Sequence, residues 1–139
     1  MKALKSLNIC YKKNLNDEFS NHVSSFTNNL FEYEHHDELI ELINTNEIHF
    51  VIAKYNFELL KKIRVLNNQI QIIAILDELN HTHLLEGLEL KYVKFVQNLD
   101  CINMFIDALK DCVKNLDSNR KNYLKYFPYK LCLNIYPIF

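Results

Sequence analysis

An α/β domain with a five-stranded parallel sheet and helices on both faces is the fold class this sequence predicts. Three observations carry it. Segments of strand and helix character alternate five times along the 139 residues, an order that calls for right-handed crossovers between parallel strands. Two strand segments, residues 49–53 and 70–76, are almost continuously apolar, as central strands covered on both faces are. The last helix, from Asp100 to Leu116, sets Ile102, Phe105, Ile106, Leu109, Cys112, Val113 and Leu116 on one stripe. That spacing of i, i+3, i+4 and i+7 is the sharpest periodicity in the chain.

Residues 4–11 are expected to form the first strand, with Leu7, Ile9 and Tyr11 alternating. Asn14 then offers an N-cap, and Asp17 and Glu18 fall in the first turn, where the helix dipole favours negative charge. Phe19, Val23, Phe26 and Leu30 give that helix one buried stripe. A short second strand follows at 31–34, then a short helix at 37–43 carrying Leu39, Ile40 and Ile43. Beyond the strand at 49–53, Asn56 caps a third helix, 57–66, which Asn67 and Asn68 break. Behind the strand at 70–76, residues 82–90 read as a fourth helix and 92–96 as a fifth strand containing Lys94.

After Leu116 the apolar register weakens through Asp117, Ser118, Asn119 and Arg120. Residues 1–118 are therefore expected to form the domain and 119–139 an aromatic C-terminal tail. Pro128 and Pro137 stop a long helix there, and Leu131, Leu133 and Ile135 alternate as in a strand. An apolar tail of this kind is expected to be buried, on its own domain or on another chain.

Composition narrows the function. With 49% hydrophobic residues the chain can build a real core. A net charge of −1 gives no bulk attraction to DNA, RNA or acidic membranes, so no direct nucleic-acid or membrane partner is expected. The first nine residues hold two lysines and no long apolar stretch, unlike a signal peptide. No apolar run approaches the length of a bilayer span, and the expected location is the cytoplasm. Cys10, Cys101, Cys112 and Cys132 are scattered without a CxxC pair, which reads as free thiols in a reducing compartment. Gly87 is the only glycine, which excludes the Gly-rich phosphate loops that need close backbone approach.

Few residues suggest chemistry of their own. His81 and His83 with Asp77 are the residue types of a metal site. Their two-residue spacing projects side chains together only on an extended segment, and this stretch enters a helix, so solvated or capping histidines are favoured. No metal or cofactor is expected. His35-His36-Asp37 reads as a polar strand-to-helix turn, and His22 as a boundary residue beside the stripe of the first helix. No base is placed beside Cys10, Cys101 or Cys112, so nucleophilic catalysis, and an enzyme generally, is not expected.

The order, spacing and length of the elements from Leu4 to Leu116 resemble the receiver domain of two-component response regulators. The segment Ile72-Ile73-Ala74-Ile75 and the helix through Leu84-Leu85-Glu86-Gly87-Leu88-Glu89-Leu90 carry the likeness most directly. The resemblance implies a flavodoxin-like, doubly wound sheet of order 2-1-3-4-5, with its crevice at the carboxyl ends of the strands. It also shows what is missing. Receivers hold magnesium with two acidic residues after the first strand, where this chain has Tyr11-Lys12-Lys13. The phosphoacceptor aspartate aligns with Lys54, the switch serine or threonine with Leu76, and the lysine–proline pair with Asn98-Leu99. Only Tyr55-Asn56 remains of the loop after the acceptor, and only the aromatic switch position is kept, as Phe95. A lysine cannot form an acyl phosphate, and Lys12, Lys13 and Lys54 would repel a divalent cation from the same crevice. The resemblance therefore implies a degenerate pseudo-receiver.

In that crevice Lys54 is expected to pair with Asp77 or Glu78, since a partly buried charge needs a partner. Anion binding by the lysines is the alternative. Receivers signal through their fourth helix, fifth strand and fifth helix, a face that here draws on Leu84, Leu88, Tyr92 and Phe95. Leu88 and Phe95 also read as core. The implied function is a phosphorylation-independent, regulatory protein–protein interaction module related to two-component signal transduction. Its partner would be a histidine kinase, a regulator or a second copy in a homodimer. Two alternatives stand beside it. One is a truncated or fragmentary transcription response regulator whose tail begins an effector domain. The other is a small anion or nucleotide sensor using the lysine-lined crevice.

Overall fold

The computed structural model of the chain describes residues 7–98 and 100–124, with side chains as far as residue 116. Strands and helices alternate throughout: β1 (Asn8–Lys12), α1 (Asp17–Phe26), β2 (Asn29–Tyr33), α2 (His36–Thr45), β3 (Phe50–Lys54), α3 (Phe57–Leu66), β4 (Gln71–Leu76), α4 (His81–Leu90), β5 (Val93–Gln97) and α5 (Ile102–Leu124). All pairings are parallel, in the order β2-β1-β3-β4-β5. This is the doubly wound, flavodoxin-like sheet the sequence predicts.

The continuous apolar runs follow from the two-sided burial of the sheet. Side chains alternate across a strand, so Ile9, Tyr11, Phe50, Ile52, Ile73 and Ile75 meet α1 and α5 on one face. Cys10, Val51, Ala53, Ile72 and Ala74 meet α2, α3 and α4 on the other. Each fully buried Ile, Leu or Phe contributes roughly 1.5–3 kcal/mol against the entropy of ordering. Chain connections leave in opposite directions from β1 and β3, which are neighbours in the sheet. That reversal opens a crevice outside their carboxyl ends.

From α2 to β5, the predicted segments agree with the structure to within two residues at each end, and α3 agrees at both. The first part of the chain needs correction. Asn16, not Asn14, caps α1, its side-chain oxygen accepting from Phe19 N–H at 3.0 Å. Asn14 instead makes the preceding turn at φ 59°. Leu30 lies on β2 rather than α1, because the helix stops at Phe26 and Thr27 leaves it. The Thr27 hydroxyl donates to Leu7 C=O at 2.7 Å and fixes that exit. Within the described residues β1 begins at Asn8, whose N–H is taken by His49 Nδ1 at 3.0 Å. At the other end the α5 backbone continues past Leu116 to Leu124. Residues 125–139, with the strand expected at 131–135, lie outside the described residues, as does Leu99. Among the described residues, no helix is long and apolar enough to cross a membrane.

Candidate functional site: a strand-end crevice and a groove on the fourth helix

The crevice is a cavity of ≈ 260 Å³ lined by Asn14, Leu15, Lys54, Ile75, Leu76, Asp77 and Asn98. It forms because β1, β3, β4 and β5 end side by side and their loops diverge. Lys54, Leu76 and Asn98 stand where the sequence places them. Leu76 is buried at the end of β4. The carbonyl and side-chain oxygens of Asn98 accept from Asn16 Nδ2 at 3.3 and 3.1 Å, tying the β5 exit to the α1 cap.

Three expectations for this crevice need correction. Lys12 and Lys13 do not line it. Lys12 Nζ donates to the Lys13 carbonyl at 3.1 Å, and Lys13 is exposed in the turn that Asn14 closes. Glu78 does not line it either. The expected ion pair of Lys54 with Asp77 or Glu78 is not formed: among the described residues, ion pairs join only His49 to Glu47, Lys61 to Glu58 and Lys94 to Asp111. The reason is that Lys54 is exposed. A hydrated ammonium needs no partner, and a surface pair would gain about 0–1 kcal/mol.

A magnesium ion, which receiver chemistry uses, does not fit this donor set. Hard divalent cations want several oxygen ligands with carboxylates among them. The lining offers one carboxylate, Asp77, and a lysine. Among the described residues, no group of three His, Cys, Asp or Glu could hold a metal ion. His83 works as a cap: its N–H donates to Asn80 Oδ1 at 3.0 Å, and its Nδ1 accepts from Asn80 N–H at 3.3 Å. His35 has a similar place, its N–H donating to Glu38 Oε1 at 3.0 Å as α2 begins.

The second feature is an apolar groove of ≈ 450 Å³ between the C-terminal half of α4 and the start of β5. It is lined by Leu84, Leu88, Tyr92 and Phe95, together with Gly87, Lys91 and Val93. All four residues that the sequence assigns to an interaction face therefore share one surface. Leu88 is 75% exposed and Leu84 43%, so neither is core. Phe95 is half-buried and packs against the α2–α4 side of the sheet. A Cβ on Gly87 would lie 2.5 Å from Phe95 Cε2. The only glycine of the chain thus lets the Phe95 ring slide beneath α4.

Sequence reasoning missed two residues that shape this groove. Tyr55, directly after Lys54, is half-buried, and its hydroxyl donates to the Glu86 carboxylate on α4. Its ring meets His83 and Phe95 edge-on, at centroid distances of 4.9 and 5.5 Å. Burial first, and the Glu86 contact second, push its pKa up. Tyr55 thereby ties the end of β3 to α4 and to the groove-lining Phe95. Arg64 on α3 donates to the carbonyls of Leu90 and Lys91 at 2.7 Å each and of Asn67 at 3.3 Å. Burial lowers its pKa to about 10. It holds the turn where Lys91 and Tyr92 both take positive φ, 61° and 54°, a costly conformation for residues with a Cβ. Nothing in the spacing of Tyr55 or Arg64 announces these contacts.

No protein-family model matches the sequence, and neither does any curated protein. In three dimensions the chain is similar to the chemotaxis protein CheY4 of Vibrio cholerae, with a TM-score of 0.66. The match covers 77% of this chain and 99% of that one, at 11% sequence identity. At that identity the likeness speaks for the fold alone: the chain shares the flavodoxin-like architecture of that protein.

Proposed function

We propose that this chain is a phosphorylation-independent pseudo-receiver that acts by binding a protein partner through the α4–β5 groove. The observation that carries the proposal is the apolar groove itself, with Leu88 75% exposed at its edge. Contiguous exposed apolar surface on a folded domain marks an interaction site. The crevice supports the negative half of the reading: Lys54 lines it, and by the resemblance to receivers its position is that of the carboxylate nucleophile their chemistry needs. The module is cytoplasmic and non-catalytic, needs no cofactor, and takes as partner a histidine kinase, a regulator or a second copy of itself.

Two measurements test this. Incubation with acetyl phosphate, or with beryllofluoride and magnesium, is expected to give no adduct by mass spectrometry and no spectral change. A stoichiometric adduct overturns phosphorylation independence. Leu88→Asp is expected to keep the melting temperature within a few degrees, since the side chain is exposed, and to abolish capture of a kinase or regulator from the source cells. Full retention of such a partner by the variant removes the groove from the proposal.

A second reading rests on the ammonium of Lys54, which has no ion-pair partner among the described residues and lines a polar cavity. There the crevice binds a small anion or a nucleotide phosphate. Calorimetric titration with phosphate and nucleotides would show binding that Lys54→Gln removes. No heat with any of them disposes of this reading.

A further inference from the structure

A second groove, of ≈ 480 Å³, lies between α2 and α3. Its apolar part is Ile40, Val65 and Leu66. Val65 is 87% exposed and Leu66 41%. They are not spare core residues, because Leu59, Leu60 and Ile63 already fill the sheet-facing side of α3. On a 3.6-residue helix, positions 58, 61, 62 and 65 form one outward stripe, so these apolar side chains share a surface with Glu58, Lys61 and Lys62.

The two walls differ in charge. The α2 wall carries Asp37 in the lining, with Glu41 one turn further on and no lysine or arginine anywhere in the helix. The α3 wall carries Lys61 and Lys62. Its one acid, Glu58, is held by Lys61 at 3.2 Å, and Arg64 is turned away toward the carbonyls beyond α4. Among the described residues, Asp37, Glu41 and Lys62 have no ion-pair partner. A binding partner of single sign would suit one wall and be repelled by the other. A surface with one acidic and one basic wall is complementary to its own copy after a two-fold rotation, which sets each acidic helix against a basic one.

We propose that the α2–α3 groove is a homodimer surface. A second copy packs its own groove here, with Val65 and Leu66 near the two-fold axis and Asp37 and Glu41 opposite the second copy's lysines. The exposed apolar area is modest, which places the interface at the weak, reversible end of the range. The surface is separate from the α4–β5 groove, so either assignment can fail without the other.

Sedimentation velocity of the full chain, from low to high micromolar concentration, tests this. The wild type is expected to shift toward the dimer as concentration rises, and to shift back as salt screens the walls. The variants Asp37→Lys/Glu41→Lys and Lys61→Glu/Lys62→Glu should each remain monomeric, with matching circular dichroism spectra. Mixed in equal amounts they should dimerise again, because each altered helix now faces its opposite sign. Val65→Asp, at a position that contributes little to the fold, should raise the dissociation constant at least tenfold. A wild type that stays monomeric overturns the proposal. So does a dimer that survives Val65→Asp, or a mixture of the two charge variants that does not associate.

Discussion

Gly87 sits inside a helix, where glycine is disfavoured by about 1 kcal/mol relative to alanine, yet the chain spends its single glycine there. The Phe95 ring explains it. An alanine Cβ would fall 2.5 and 2.8 Å from two of its ring carbons, and that ring is already set against Tyr55. Gly87→Ala is therefore expected to destabilise the domain by about 1–3 kcal/mol, overpacking outweighing the gain in helix propensity. Urea denaturation measures this, and adding Phe95→Leu should recover most of the loss. Gain of stability in the single variant would show that the ring swings clear. Composition made the lone glycine visible and excluded phosphate loops. Its reason was not legible, because it depends on a side chain from the next strand. Lys54 was legible as a residue but not as a partner: a pair was expected on the assumption of partial burial, and exposure removed the need.

Among the elements, the ends of α3 illustrate what makes a boundary readable. Asn56 caps one end, its side chain accepting from Leu59 N–H at 3.0 Å, and Asn67 leaves the other. One strong signal at each end gave one answer. Before α1, Asn14 and Asn16 compete, and only the backbone decides which is turn and which is cap. β2 is half-exposed at the sheet edge, so its alternation is weak and its start was placed two residues late. The tie from α3 to the turn before β5 is wholly tertiary. Arg64→Met would keep the aliphatic stem and lose the charged hydrogen bonds to the carbonyls of Leu90, Lys91, Asn67 and Tyr92. A cost of about 2–4 kcal/mol is expected. Hydrogen exchange at Tyr92 and Val93 should rise more than in β1, since the strained turn at Lys91 loses its clamp. Uniform exchange across the sheet would contradict that local role.

Across the whole molecule, α/β alternation and two continuous apolar strands were enough to give the class. The strand order came with the family resemblance, and the chain follows it. The crevice was only partly legible, because which strand-end residues turn inward depends on loop geometry. Stability should also depend on pH through the α1–α5 packing. His22 lies 4.4 Å from Phe26 and 6.5 Å from Phe105, ring centre to ring centre. Its Nε2 is buried with no partner among the described residues. Burial lowers its pKa, so the folded chain resists a proton that the unfolded chain takes up near pH 6.5. Stability from this site is complete above about pH 6.5 and declines as the pH falls below it. His22→Leu should flatten that decline relative to the wild type, measured as urea midpoints across mildly acidic pH; parallel curves would acquit His22. The thiols divide along the same layers. Cys10 and Cys112 are fully buried on opposite faces of the sheet, and desolvation pushes both up to about 12. Cys101 is exposed at the entry to α5, three residues from the crevice-lining Asn98. Buried, protonated thiols do not react. With Cys132 replaced by serine, a maleimide dye would attach at one point only, giving the crevice an optical reporter without any engineered cysteine.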